Sequence, residues 1–165
     1  MNALPKFRLF AATATLGLLA ACGGEAPADD TATAGAEEPA VIDERQANFE
    51  GIGDAFKLIR SELETGNPDV VAIENAATDM NERSQKIAGF FPEGTSVDDG
   101  FDTEALATIW EDKTGFESAA QDLTDASAEM ITIAASGDTA AVGEQVKAVG
   151  GTCKGCHDKF RLDDD

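Results

Sequence analysis

The sequence predicts an all-α fold, an antiparallel four-helix bundle, on three observations. Four segments of about twenty residues repeat their apolar positions at steps of three and four, the spacing of one helical face. Gly, Pro, Asn and Asp punctuate the stretches between them, which keeps most connections short and neighbouring helices antiparallel. The chain has no Tyr, one Trp and few β-branched runs, so little is available to build a sheet.

The first stripe is Arg45, Phe49, Ile52, Phe56, Ile59 and Leu63. Gly66-Asn67-Pro68 ends that helix, with Asn67 placed as N-cap and Pro68 as the first residue of the next helix. The second stripe is Val70, Ile73, Ala77, Met80, Ser84 and Ile87, closed by Gly89 and Pro92. A loop rich in Gly, Pro and Asp follows, with a short helical turn around Ala105 to Trp110, where Trp110 packs within the loop. The third long helix carries Phe116, Ala119, Leu123, Ala126, Met130 and Ile133 and stops near Gly137. The fourth carries Val142, Val146, Val149, Cys153, Cys156 and Phe160.

Ahead of the bundle the chain reads as leader and tether. Lys6 and Arg8 precede an apolar stretch from Leu9 to Ala21 that is too short to span a bilayer. The segment Leu19-Ala20-Ala21-Cys22 resembles the lipobox of bacterial lipoproteins, in which the Cys becomes the lipidated first residue. The competing reading is an ordinary secretory signal with Cys22 left as a free thiol. Residues 1–21 are thus assigned as signal peptide, 22–42 as a flexible acidic linker of Ala, Pro and Thr, and 43–165 as the bundle. The expected location is the periplasmic side of a bacterial membrane, held by lipid, with Gly23 in place of Asp favouring the outer membrane.

Twelve basic residues against 32 acidic ones give a net charge of −20, and removing Lys6 and Arg8 with the leader takes it to −22. So acidic a surface repels the phosphate backbone and excludes nucleic-acid binding. It favours partners with basic docking faces. No nucleophile paired with a general base is evident, so the chain is not read as an enzyme.

The chemistry concentrates at Cys153-Lys154-Gly155-Cys156-His157, which contains the only His. Cys-x-x-Cys-His is the attachment signature of a c-type haem. Thiols three residues apart on a helix reach two vinyl groups of one porphyrin, and the following imidazole reaches the iron as axial ligand. Export agrees with this, because the attachment takes place outside the cytoplasmic membrane. A dithiol redox motif lacks its βαβ context here, and a zinc site lacks a fourth ligand. A disulfide within one helical turn would constrain almost nothing. One haem c, bound through two thioethers, is the predicted cofactor.

The chain resembles the class II cytochromes c, of which cytochrome c′ is the best-known type. The resemblance rests on the four-helix pattern, the single Cys-x-x-Cys-His near the C-terminus, Arg45-Gln46, Phe91-Pro92-Glu93-Gly94-Thr95 and Ile109-Trp110. It covers about Asp43 to Leu162. In this family the residue four after the first-helix Arg faces the haem on the side away from His157. Low-spin electron carriers place a ligating Met there, and members like cytochrome c′ place an apolar residue and keep five-coordinate iron. Here that residue is Phe49, which has no lone pair to donate.

The resemblance therefore implies a redox-cycling, five-coordinate haem that binds nitric oxide or carbon monoxide; the alternative is a six-coordinate one-electron carrier ligated by Met80 or Met130. It also implies Arg45 beside a haem propionate and Arg161 beside the proximal face. Against those stand a solvated first-turn arginine, and a cation opposing the helix dipole and the acidic tail. Family members often dimerise through their first two helices, so a homodimer is possible. Lys154 and Lys159 are read as solvated.

Overall fold

The computed structural model describes residues 38–163. The predicted leader and residues 22–37 of the tether, Cys22 included, lie outside the described residues, as do Asp164 and Asp165. Every α-helix among the described residues falls in the order α1 (Ala40–Leu63), α2 (Val70–Ser84), one-turn α3 (Thr108–Glu111), α4 (Lys113–Ser136) and α5 (Thr139–Phe160). The four long helices form the predicted bundle, with α1 on α2, α2 on α4 and α4 on α5, while α1 and α5 touch less extensively.

Helix boundaries follow local chemistry. α1 begins at Ala40, three residues ahead of the predicted domain start, and its Ile42 is fully buried, so the end of the assigned linker belongs to the bundle. The N-cap of α2 is Asp69 and not Asn67. Its carboxylate accepts from the Val71 and Ala72 amides at 3.0 and 3.1 Å, and a negative cap complements the dipole. Pro68 precedes that cap and lies outside the helix. α2 ends at Ser84, earlier than its stripe suggests. Ile87 reaches the core from a 3₁₀ turn spanning Ile87–Phe90, closed by the Gly89 amide on the Lys86 carbonyl at 3.0 Å. Asp112 caps α4 and Asp138 caps α5, and Gly137 at φ +75° ends α4 in the left-handed conformation an L side chain disfavours.

Burial supplies most of the cohesion. Ile42, Ile59, Ile73, Met80, Met130, Val142 and Val149 are the largest fully buried apolar side chains. Across three seams a side-chain amide donates to a backbone carbonyl of the neighbouring helix. Asn48 of α1 reaches Arg83 O at 3.2 Å, Asn81 of α2 reaches Thr124 O at 2.8 Å, and Gln145 of α5 reaches Ala126 O at 2.8 Å. Such bonds are geometry-specific in a way that apolar packing is not, and they fix how far each helix slides along the next.

The connection between α2 and α4 wraps back over the end of α5. Leu106 N donates to Phe160 O at 3.1 Å and Leu162 N to Glu104 O at 2.8 Å, around an antiparallel bridge between Ala105 and Arg161. Within the loop, Ser96 and Asp99 form a reciprocal capping box, with the Ser96 amide and hydroxyl on the Asp99 carboxylate at 2.9 and 2.6 Å. Among the described residues no helix is long and apolar enough to cross a membrane.

Candidate functional site

A cavity of about 1220 Å³ lies among α1, α4, α5 and the wrapped loop; α2 contributes nothing to its lining. That exceeds the ~300–1,000 Å³ of ordinary small-molecule sites, as a large flat cofactor requires. Cys153, Cys156 and His157 all line it, half-buried, because residues 153, 156 and 157 fall on the inward side of α5. The rest of the lining is mainly apolar: Phe49, Ile52 and Phe56 from α1, Ile87 and Phe91 beyond α2, Phe116 and Leu123 from α4, and Phe160 from α5.

The electrostatics suit neutral donors. Burial pushes the Cys153 thiol up, and burial together with the neighbouring Cys153 pushes Cys156 up to about 11. Both are protonated thiols at neutral pH, unlike the thiolates of dithiol oxidants or zinc sites. Burial, then the nearby Arg161 charge, hold His157 below the ordinary imidazole value, against weaker opposition from Glu104 and Asp158. A neutral imidazole keeps a lone pair for a metal. Among the described residues no cluster of three or more His, Cys, Asp and Glu side chains is arranged to hold a metal ion. Two thiols three apart, one neutral imidazole and a broad apolar cavity meet the needs of a c-type haem.

Phe49 lines the cavity on α1. Its ring meets Phe91 edge-on at 6.3 Å between centroids. Met80 and Met130, the two thioethers weighed as alternative ligands, are 0 % exposed in the core, and neither lines the cavity. The lining also holds no second imidazole, since the chain has one His. Lys57 does line it, but is 78 % exposed and paired with Asp54 at 3.0 Å.

Arg45 is not a solvated first-turn residue. It is 3 % exposed and donates to Thr95 O at 3.0 Å and to Thr103 Oγ1 at 2.9 Å, with its guanidinium 4.6 Å from the centre of the Phe91 ring. Burial lowers its pKa, although an arginine stays charged. It lines the cavity while clamping the loop to α1. Arg161 lines the cavity too, and its Nε donates to the Glu104 carboxylate. Lys154 is exposed and paired with Asp158, and Lys159 is exposed.

Apolar patterning did not assign Phe91, Thr95 and Thr103 to this site, because they lie in a loop with no apolar period. The resemblance singled out segment 91–95 without giving its residues a role, and its motifs did not include Thr103. Trp110 lies on α3, within the connection between α2 and α4, and its indole N–H donates to Phe91 O at 3.1 Å.

A family model described as Cytochrome C′ matches residues 40–161. A cytochrome c′ of Rhodospirillum rubrum is 46% identical over 74 residues, which are 44% of this chain and 48% of that protein, so this alignment spans about half of that relative's length. A cytochrome c′ of Pararhodospirillum photometricum is 32% identical over 127 residues, covering 76% of this chain and 99% of that protein. Among solved structures, the cytochrome c′ of Shewanella frigidimarina superposes with a TM-score of 0.69 at 32% identity, over 78% of this chain and 98% of that one.

Proposed function

Since this chain belongs to the cytochrome c′ family, we propose that it is a five-coordinate haem protein that cycles between ferric and ferrous iron and binds small neutral gases, nitric oxide or carbon monoxide. Cytochromes c′ are monohaem proteins with a covalent c-type haem, and Cys153 and Cys156 supply the two thioethers. The haem, once bound, supplies a one-electron redox couple and an iron able to coordinate a diatomic gas.

The protein's part is to hold, ligate and exclude. Cys153 and Cys156 fix the cofactor to α5, and the neutral His157 imidazole is oriented by the helix that carries both thiols. Phe49 lines the cavity from α1 and offers no lone pair, which supports reading it as the residue over the open side of the iron. An apolar ring there disfavours water and anions, which lose hydration on entry, and favours neutral gases. Among the described residues no tyrosine, tryptophan or second histidine lines the cavity to donate to bound dioxygen. The observation that carries this reading is the pairing of Phe49 inside the cavity with Met80 and Met130 outside it.

The leader and Cys22 support a lipid-anchored protein on the periplasmic side of a bacterial membrane. The net charge supports redox partners with basic docking faces.

The deciding measurement is the optical spectrum of the haem-loaded protein, ferric and ferrous, before and after carbon monoxide. A high-spin ferrous spectrum that shifts fully with the gas is expected. Phe49→Met is expected to give a sharp low-spin spectrum indifferent to the gas. A wild-type protein that already behaves so would make this chain a six-coordinate electron carrier.

A further inference from the structure

Phe49 does not stand alone. Its ring edge abuts Phe91, with ring planes at 73°. Phe91 in turn is held from several sides. The Arg45 guanidinium lies 4.6 Å from its ring centre, Phe116 packs edge-on at 4.7 Å, and Trp110 approaches at 6.3 Å. Its carbonyl is fixed by the Trp110 indole N–H, and the following Pro92 restricts its backbone. Arg45 lies one helical turn before Phe49 on α1, so the residue that stacks on Phe91 rides on the same helix as the ring that Phe91 supports.

We infer that Phe91 is a positioning residue for gas entry: it braces the Phe49 ring over the cavity, and Trp110 holds the brace. This rests on the reading of Phe49 as the residue a gas must displace. A ring that must rotate to admit a ligand does so more slowly when a neighbour fills the space beside it, and interiors resist such motion because they are close-packed. One edge-to-face aromatic contact corresponds to about two- to tenfold in rate if it is broken on the way in. Trp110 does not line the cavity, so its replacement weakens the brace without reshaping the pocket wall.

The test is carbon monoxide association with the ferrous holoprotein in a stopped-flow instrument. The variants are Phe49→Ala, Phe91→Leu, Trp110→Phe and the double variant Phe49→Ala/Phe91→Leu. Phe91→Leu is expected to speed association about two- to tenfold over wild type, and Trp110→Phe by less. In the Phe49→Ala background, Phe91→Leu is expected to change nothing, because the braced ring is gone. A crystal structure of Phe91→Leu gives a second readout, with Phe49 expected in more than one rotamer.

If Phe49→Ala speeds association and Phe91→Leu does not, the brace is wrong and the gate stands. If Phe91→Leu speeds both backgrounds equally, it merely widens the way in, and the brace is again wrong. If Phe49→Ala itself has no effect, the gate reading fails and the brace with it. Trp110→Phe keeps a ring in place and guards against a misfolded Phe91 variant.

Discussion

A lone pair separates Phe49 from Met80 and Met130. All three are inward-facing apolar side chains, and only the thioethers can ligate iron. Both methionines spend that capacity on packing, at 0 % exposure in the core. Met80→Leu and Met130→Leu conserve volume, so each is expected to cost less than about 1.5 kcal/mol and to leave the haem spectrum unchanged. Chemical denaturation and absorbance check the two halves of that statement, and a spin-state change in either variant would restore that methionine as a ligand. At this scale the sequence was most readable where chemistry is rare. Two cysteines and the single histidine at fixed spacing named the cofactor. Arg45 was harder to read, because its position on an apolar stripe says that it is buried but not that Thr95 and Thr103, some fifty residues on, satisfy it.

Helix ends here depend on aspartates. Asp69, Asp112 and Asp138 each cap a long helix through their carboxylates. Asp138→Ala at the start of α5 is expected to cost about 1 kcal/mol in urea unfolding, the usual worth of an N-cap. The capping box in the loop adds a pH dependence. Ser96 donates to the Asp99 carboxylate through hydroxyl and amide and holds its pKa below the ordinary value. A depressed carboxylate stabilises the fold above its unfolded pKa of about 3.9 and loses that contribution as the pH falls through its folded value. An acid titration followed by circular dichroism is therefore expected to show a shallower acid limb for Asp99→Asn than for wild type. Apolar periodicity located every long helix, and its second stripe starts where α2 does; the capping assignment misplaced the boundary. Asn67 and Asp69 are both good caps by residue type, and the choice falls to the one whose carboxylate reaches two amides.

The whole molecule is an acidic bundle, with 32 acidic residues against 12 basic ones. Like charges crowd one another in the folded state, and salt screens them over about 8 Å at 0.15 M. Raising ionic strength from a few millimolar to that value is expected to raise Tm by roughly 3–6 °C, the equivalent of about 1 kcal/mol in a domain of this size. A thermal scan at two salt concentrations decides it; no rise would mean that the charges are already spaced widely enough. The bundle itself was legible because its helices are amphipathic. The loop was not, because it is held by backbone bonds to the end of α5 that no residue pattern announces.

The amide bonds between helices are unevenly placed. Asn48, Asn81 and Gln145 lock α1 to α2, α2 to α4 and α5 to α4. Among the described residues the remaining seam, between α1 and α5, carries no such side-chain amide bond, and the cavity borders it. Sliding along three seams therefore breaks a directional bond, whereas α1 and α5 meet less extensively beside the cavity.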